Sequence, residues 1–451
     1  MAEFKHYILY ISVSLILIIS IINFIRFIKT ILFLKNNDLK FSYSNEKKTS
    51  KHFVLIPVLR EQTRIIPTIE YFMKIIPAGE NIKIIICTTE KENEKINKTT
   101  KEVVEEYILA HQHIPVSVCH YPYNKGNMAH QLNYTIKNML EHGLLHEHDY
   151  ISIYNADSRP HTETYHWVLS QLNTYNNKYV FQQSAVFLRN YDKLNDYFAK
   201  VVALYQSCWT LTHEIPRLRR QANSKNILSK WSNVHCVGHG LFIRVDILNK
   251  MGLFPVDTLT EDTYLGYKLR CSGITIYPVP FIEVGDSPLS FRSAMRQKFV
   301  WFWGPMLYPY YLFKYFQEEK NIYLRLKSVI FACQGTLNAI RWLIAGPLIL
   351  LAIILPWTLS VSIWCYLLSF ISIFLYSSLP VLGIPHTLDI LEKSSGQNLY
   401  FVKDPINKTI VNLVHAVFHS LLHSIPPIFS LISAFRMLFT NYTPRKRKTD
   451  E

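Results

Sequence analysis

Tyr150-Ile151-Ser152-Ile153-Tyr154-Asn155-Ala156-Asp157 is the stretch that decides the fold. Its first five residues have the β-branched and aromatic composition of a strand, and the run then stops at short polar turn formers. Towards the N-terminus, Phe53-Val54-Leu55-Ile56 is a continuous apolar run ending at Pro57. Residues 82–87 form another, with only Lys83 polar, and residues 116–121 a third. Between that third run and Tyr150, the residues Met128, Leu132, Ile136, Met139 and Leu140 fall at helical spacing. Apolar strands alternating with helical patterns imply an α/β fold on a mostly parallel sheet covered on both faces. Ligands of such sheets bind at the carboxyl ends of the strands. Arg60 and Glu61, Thr88 to Glu90, and Asn155 to Asp157 all fall there.

The alternation occupies residues 48–286 of a chain of 451. Charged residues make up 18%, below the roughly 25% of soluble domains, and the apolar excess lies at the two ends. Residues 7–25 form an uncharged apolar run long enough, at about 28 Å, to cross a bilayer, and too long for a signal-peptide core. Residues 1–35 are therefore an uncleaved anchor. Lys5 precedes the run, whereas Arg26, Lys29, Lys35, Lys40, Lys47, Lys48 and Lys51 follow it. This bias places the central region in the cytosol and Met1 outside, in an inner or plasma membrane or, in a eukaryote, the ER or Golgi. Sequons such as Asn97-Lys98-Thr99 then go unused.

Residues 287–320 alternate aromatic and basic side chains and read as an interfacial amphipathic segment. A transmembrane region spans residues 325–440. It comprises the apolar stretches 329–357, broken by Arg341 and Pro347, then 359–383, then 410–439, broken by Pro426-Pro427. Three spans would put the basic tail, residues 441–451, outside. Either the third stretch is a re-entrant pair kinked at the prolines, or one stretch does not span.

The net charge of +15 is spread along membrane flanks, and no zinc-finger, RRM or KH pattern accompanies it. Anionic lipid headgroups, not nucleic acid, are the expected partner. Seven widely spaced cysteines without a CxxC pair argue against a disulfide framework or zinc site and fit a reducing compartment.

Several residues can carry chemistry. Asp157 after a strand is placed to hold Mg²⁺ or Mn²⁺, which bind through one or two carboxylates plus phosphates; Asn155-Ala156-Asp157-Ser158 is equally an ordinary turn. Lys125-Gly126-Asn127 opens a helix running to about Glu141 and can offer a cation and free N–H groups to a phosphate. Glu61 and Glu90 can take ribose or base hydroxyls. Gly238-His239-Gly240 permits close backbone approach to a ligand, with His239 a candidate for direct contact. In Thr260-Glu261-Asp262, Thr260 suits a helix N-cap. Asp262 can be a general base whose pKa Glu261 raises, or both acids can simply complement a helix dipole. Gln297, Lys298 and Trp301 can line an acceptor channel or anchor a helix at the membrane.

The ordered set over residues 52–304 resembles the membrane-bound family 2 glycosyltransferases, the group of cellulose, hyaluronan and chitin synthases and ceramide glucosyltransferase. The resemblance implies a GT-A, Rossmann-like catalytic domain and an inverting hexosyltransferase. The donor would be a nucleoside-diphosphate sugar, of UDP type in the first place, and the acceptor a lipid-linked or glycan hydroxyl. Asn155-Ala156-Asp157 stands at the DxD motif, so Asp157 and Asn155 would bind the metal. Asp262 of the TED motif would be the base, Gln297 to Trp301 of (Q/R)xxRW would bind acceptor and diphosphate, and Lys125, with Pro57, Glu61 and Glu90, would bind the nucleotide. Gly238 and His239 fall on the acceptor side. Asn155 replaces the first acid of DxD, Thr88-Thr89 replaces the acid usual after the second strand, and Val300 replaces the arginine of (Q/R)xxRW. These departures keep two alternatives in view: a processive polysaccharide synthase, and a non-catalytic subunit in a complex of glycan-biosynthesis proteins.

Overall fold

The computed structural model describes residues 2–35, 50–92, 98–111, 113–174, 178–223, 225–395 and 403–439. The Asn97 sequon position, Lys40, Lys47, Lys48 and the basic tail lie outside the described residues. In chain order the elements are α1 (Ala2–Lys35), β1 (His52–Pro57), α2 (Ile65–Ile75), β2 (Ile82–Thr89), α3 (Thr100–Ala110), β3 (Val116–Tyr121), α4 (Met128–Glu141), β4 (Tyr150–Ile153), α5 (Thr164–Thr174) and β5 (Val180–Val186). There follow α6 (Tyr197–Trp209), a π-helical turn (Thr210–Glu214), α7 (Ile215–Ala222), β6 (Leu241–Arg244), α8 (Val245–Lys250), α9 (Glu261–Cys271) and β7 (Ile276–Val284). The C-terminal part holds α10 (Phe291–Met306), α11 (Tyr308–Glu318), α12 (Ile322–Thr358), α13 (Ile363–Ser378), a second π-turn (Leu379–Gly383), α14 (Ile384–Ser395), α15 (Ile406–Leu422) and α16 (Ile425–Phe439).

The seven strands form one sheet in the order β3-β2-β1-β4-β6-β5-β7. Period-two alternation drives it. Phe53, Leu55, Ile85 and Cys87 are buried on one face with Leu132 and Ile136 of α4. Val54, Ile56, Ile84 and Ile86 are buried on the other with Ile69 and Phe72 of α2. Each fully buried aliphatic contributes about 1.5–3 kcal/mol, so a one-residue slip of register, which exchanges the faces, is strongly disfavoured. The sheet is mixed: β6 runs antiparallel to both β4 and β5, and the other pairings are parallel. Strand order reverses direction between β1 and β4, which opens a crevice at their carboxyl ends.

Among the described residues, four helical stretches are long and apolar enough to cross a membrane: residues 3–35, 322–358, 363–393 and 406–437. The protein therefore has the make-up of an integral membrane protein. Pro347 does not break the first C-terminal stretch, as its position leads one to expect. α12 continues through it for 37 residues, because neighbouring helices tolerate and re-satisfy a proline in such a setting. The second stretch likewise continues past Gly383 into α14. The third does break at His423-Ser424, because Pro426 and Pro427 have no N–H to give the carbonyls of Leu422 and His423.

At about 1.5 Å per residue α12 is about 55 Å long, against a hydrocarbon thickness of about 30 Å. Its first turns are bonded to the sheet domain. Tyr267 Oη donates to the Ser328 carbonyl (3.0 Å), Asn233 N–H to Gln334 Oε1 (2.9 Å), and Gln334 Nε2 to the Trp231 carbonyl (2.7 Å). The stretch read as one interfacial segment is two helices, α10 and α11, wedged between the sheet domain and α12.

Candidate active site

The antiparallel β6 explains how distant residues meet. Residues that follow β4, β5 and β7 leave the sheet at one edge, and because β6 runs the other way, the residues preceding it sit at that same edge. Ile153 pairs with Leu241, and Gly240 N–H donates to the Ile153 carbonyl (2.7 Å). Gly240 has φ +64°, and a Cβ there would stand 2.6 Å from the Gln183 carbonyl oxygen. Its close approach is thus to β5, not to a ligand. The edge gathers Asp157, His239, Phe187, Glu283 and Asp286.

Asp157 Oδ2 accepts the Asp286 backbone N–H (3.0 Å). The turn that aims it is closed by Ser158 Oγ, which accepts the Asn155 N–H (3.0 Å), and by an N–H of Ser158 on the Asn155 carbonyl (3.1 Å). Burial, then the charges of Asp286 and Glu283, raise the Asp157 pKa, against the lowering effect of the Asp286 N–H. Asp286 is itself held by Arg189 through two bonds of 2.7 Å. A Cβ at Gly285 would lie 3.7 Å from Phe187 Cδ1 and 3.8 Å from Asp157 Oδ2, so the phenyl ring and the carboxylate flank one glycine.

His239 Nδ1 lies 3.0 Å from Glu283 Oε2. Burial lowers the imidazole pKa. The charge of Glu283 and its hydrogen bond, with help from Glu214 and Asp157, outweigh that and raise it to about 9. His239 is therefore an imidazolium at neutral pH, fixed beside Asp157. Glu214 closes the π-turn, a distortion frequent at functional sites. Burial raises its pKa to about 7, His239 and Arg217 pull it down, and Asp262 pushes it up.

α9 begins at Glu261, with Thr260 at the N-cap position. The Thr260 hydroxyl makes no cap bond; it meets Tyr311 Oη (3.2 Å) on α11. Asp262 Oδ1 accepts its neighbour's N–H at Thr263 (2.7 Å), and Oδ2 comes within 3.5 Å of the position a Cβ would take at Gly238. Asp262 and His239 thus share one loop. Gly266 makes the approach possible: a Cβ there would overlap the backbone nitrogen of Cys236 and the Cα of His235. Gly304 of α10 performs the same service on the other side, where a Cβ would stand 2.8 Å from Thr263 Oγ1.

Of the three aromatic-helix residues singled out, Trp301 reaches this edge. Its ring lies 6.0 Å from Phe187, which lies 6.0 Å from His239. Gln297 Oε1 instead accepts from Gln206 Nε2 (2.7 Å), and Lys298 Nζ is buried 2.6 Å from His419 Nε2 of α15. Lys298 thus packs against the membrane helices.

The first two strand ends are knit by other groups. Gln131 Nε2 donates to the Val58 carbonyl (3.1 Å) and to that of Cys87. Pro57 ends β1 half-buried. Glu61 has Arg64 at 4.0 Å. Glu90 Oε2 faces His120 Nε2 at 2.8 Å. The acid that organises this corner is Glu92, unremarked in the sequence, whose carboxylate takes the N–H groups of Arg60 (2.5 Å) and Thr100 (2.7 Å). Lys125 is exposed, next to Gly126 at φ +111°. Asn127 caps α4 through the His130 N–H (3.2 Å).

Among the described residues no three His, Cys, Asp or Glu side chains form a metal cage. The donor set does fit Mg²⁺ or Mn²⁺ held jointly with phosphates. Asp157 brings a carboxylate that neighbouring acids burden with negative charge, and Asn155, in the same turn, can add a neutral oxygen.

A comparison with curated protein sequences finds no match. Among solved structures, the chain resembles the mannosyltransferase PcManGT from Pyrobaculum calidifontis, determined with GDP-Man and Mn²⁺. Identity is 13% and the TM-score 0.46, over 92% of this chain and 99% of that one. It also resembles TarS of S. aureus, residues 1–349, at 13% identity and TM-score 0.37, over 77% of this chain and 92% of that one. The family model for glycosyl transferase family group 2 matches residues 151–384. That match runs from β4 through the His239 loop, α9 and α10 into the membrane helices and covers more than half of the sequence: this chain belongs to the family 2 glycosyltransferases.

Proposed function

We propose that this enzyme is an inverting hexosyltransferase that uses a nucleoside-diphosphate sugar, a UDP-sugar first, and a lipid-linked or glycan acceptor at the cytosolic face of a membrane. The observation that carries the reading is that the short Gly238-His239 loop has the Asp262 carboxylate against Gly238 and the charge of Asp157 acting on His239. Asp262 takes the proton of an acceptor hydroxyl. The freed oxygen attacks the anomeric carbon from the face opposite the leaving group, and the bond from that carbon to the diphosphate oxygen breaks. A divalent cation at Asp157 and Asn155 would neutralise the departing diphosphate. The His239 imidazolium adds a cation to the same edge, in a chain where Val300 stands in place of the motif arginine. Trp301 and Phe187 give the acceptor apolar faces.

General base catalysis is worth about 10²–10⁴-fold, and positioning and charge stabilisation carry the larger share. Asp262→Asn should abolish transfer while leaving donor binding nearly intact. Undiminished turnover in that variant would remove Asp262 from the role.

A further inference from the structure

Three arginines from three separate elements converge where the sheet domain meets the apolar helices: Arg26 on α1, Arg217 on α7 and Arg341 on α12. The guanidinium carbons of Arg217 and Arg341 lie 5.5 and 5.8 Å from the Trp209 ring centroid. His213 stacks on the same indole at 4.0 Å and 8°. Its Nδ1 pairs with Thr212 Oγ1 (2.7 Å), while its Nε2 is buried without a hydrogen-bond partner among the described residues. All three arginine charges act on His213, which locates them in one neighbourhood.

Among the described residues no carboxylate closes an ion pair with the cluster, and none comes within 4.0 Å of any of the three arginines; Glu214 reaches Arg217 only at longer range. Arg217 Nη2 is held by a neutral group, Asn338 Oδ1 (2.8 Å). Burial and the charges of Arg341 and Arg26 outweigh the raising effects of Tyr308 and Glu214 and push Arg217 down to about 10, so it remains a cation at neutral pH. Like charges gathered in a partly desolvated place are unfavourable unless an anion joins them. Planar guanidinium forks match a phosphate through paired hydrogen bonds better than any other common anion holder. Two of the three arginines sit on helices apolar enough to span a membrane, and Arg26 directly follows the uncharged run of residues 7–25, so lipid is the nearest source of a phosphate. The third is joined through Glu214, three residues away, to Asp262 and His239.

We propose that Arg26, Arg217 and Arg341, with His213, bind the phosphate headgroup of a membrane lipid, and that this site seats a lipid acceptor beneath the catalytic edge. The seating role rests on the acceptor reading above; the binding itself does not, and it can be measured without donor or transfer. Full-length protein in a neutral maltoside detergent, titrated with farnesyl phosphate, should retain one such lipid in native mass spectrometry. Farnesol should be retained about ten-fold less or worse. Arg217→Gln with Arg341→Gln should lower farnesyl phosphate retention about ten-fold or more, with Arg341→Lys falling between. Competition with dioleoylphosphatidylglycerol separates the sources. Displacement at equal concentration assigns the site to anionic lipids generally, and resistance assigns it to an isoprenoid monophosphate; both keep the phosphate site. Equal retention of farnesyl phosphate and farnesol by the wild type overturns the proposal, whether or not the double variant folds. So does unchanged retention in a folded double variant.

Discussion

The imidazole Nδ1 of His239 stands 3.0 Å from Glu283 Oε2, and this pair fixes a cation next to Asp157. The folded-state pKa of His239, about 9, lies above the ordinary value of about 6.5. The stabilisation from the pair is therefore complete below about pH 6.5 and is lost as pH rises through about 9. The alkaline limb of kcat/KM should fall near that value, and Glu283→Gln should move it down towards neutrality. A limb that does not move would separate His239 from the reaction.

Asp157→Asn keeps the shape of the turn and removes its charge. With Mn²⁺ and a UDP-sugar at about a hundred times its Kd, the wild type should gain about 2.7 kcal/mol of apparent stability. The variant should lose most of that gain, read as a thermal shift, while its melting without ligand stays close to the wild type or rises. Removing the metal from the wild type should give the same loss.

Gly266→Ala tests how the base is brought to the site. The new methyl group meets backbone at Cys236 and His235, which cannot rotate away. A destabilisation of about 1–3 kcal/mol is expected, together with a fall in turnover larger than any fall in donor affinity, because α9 carries Asp262. Gly304→Ala meets a side-chain hydroxyl instead, and its effect should be smaller in both assays.

Lys298 is buried, and burial lowers its pKa to about 7 from the usual value of about 10.4. Between those values the unfolded chain binds the proton that the folded one refuses, so stability should rise with pH across that window. Lys298→Met should flatten this slope. It should leave the acceptor KM unchanged if the residue packs against α15 and does not line the acceptor path.

Much of this architecture is written in local sequence. The strands β1 to β4 and β6 are apolar runs, and Thr260-Glu261-Asp262 does open a helix. β5 is hidden by Gln182 and Gln183, polar residues that break the pattern yet are buried. Gln183 Oε1 accepts from Tyr154 Oη (2.6 Å), and Gln182 donates to the His239 carbonyl (2.7 Å). β7 carries Pro278 and Pro280, which argue against a central strand, but it is an edge strand where prolines are tolerated. The His239–Glu283 pair and the π-turn at Glu214 join residues whose meeting depends on β6 running backwards, and no spacing along the chain encodes that. Nor does spacing distinguish Trp301, at the edge that holds Phe187 and His239, from Lys298, three residues earlier on the same helix.

The unbroken α12 has a further meaning. One continuous helix is bonded to the sheet domain at Ser328 and Gln334 and carries on through a stretch apolar enough to cross a membrane; on the proposed reading it would hold the Asp157–His239 edge at a set height above a bilayer. An acceptor hydroxyl would then be selected by its depth as well as by its chemistry. Acceptors presented near the headgroups would come within reach, and those carried far out on long, flexible stalks would have to bend back to be used.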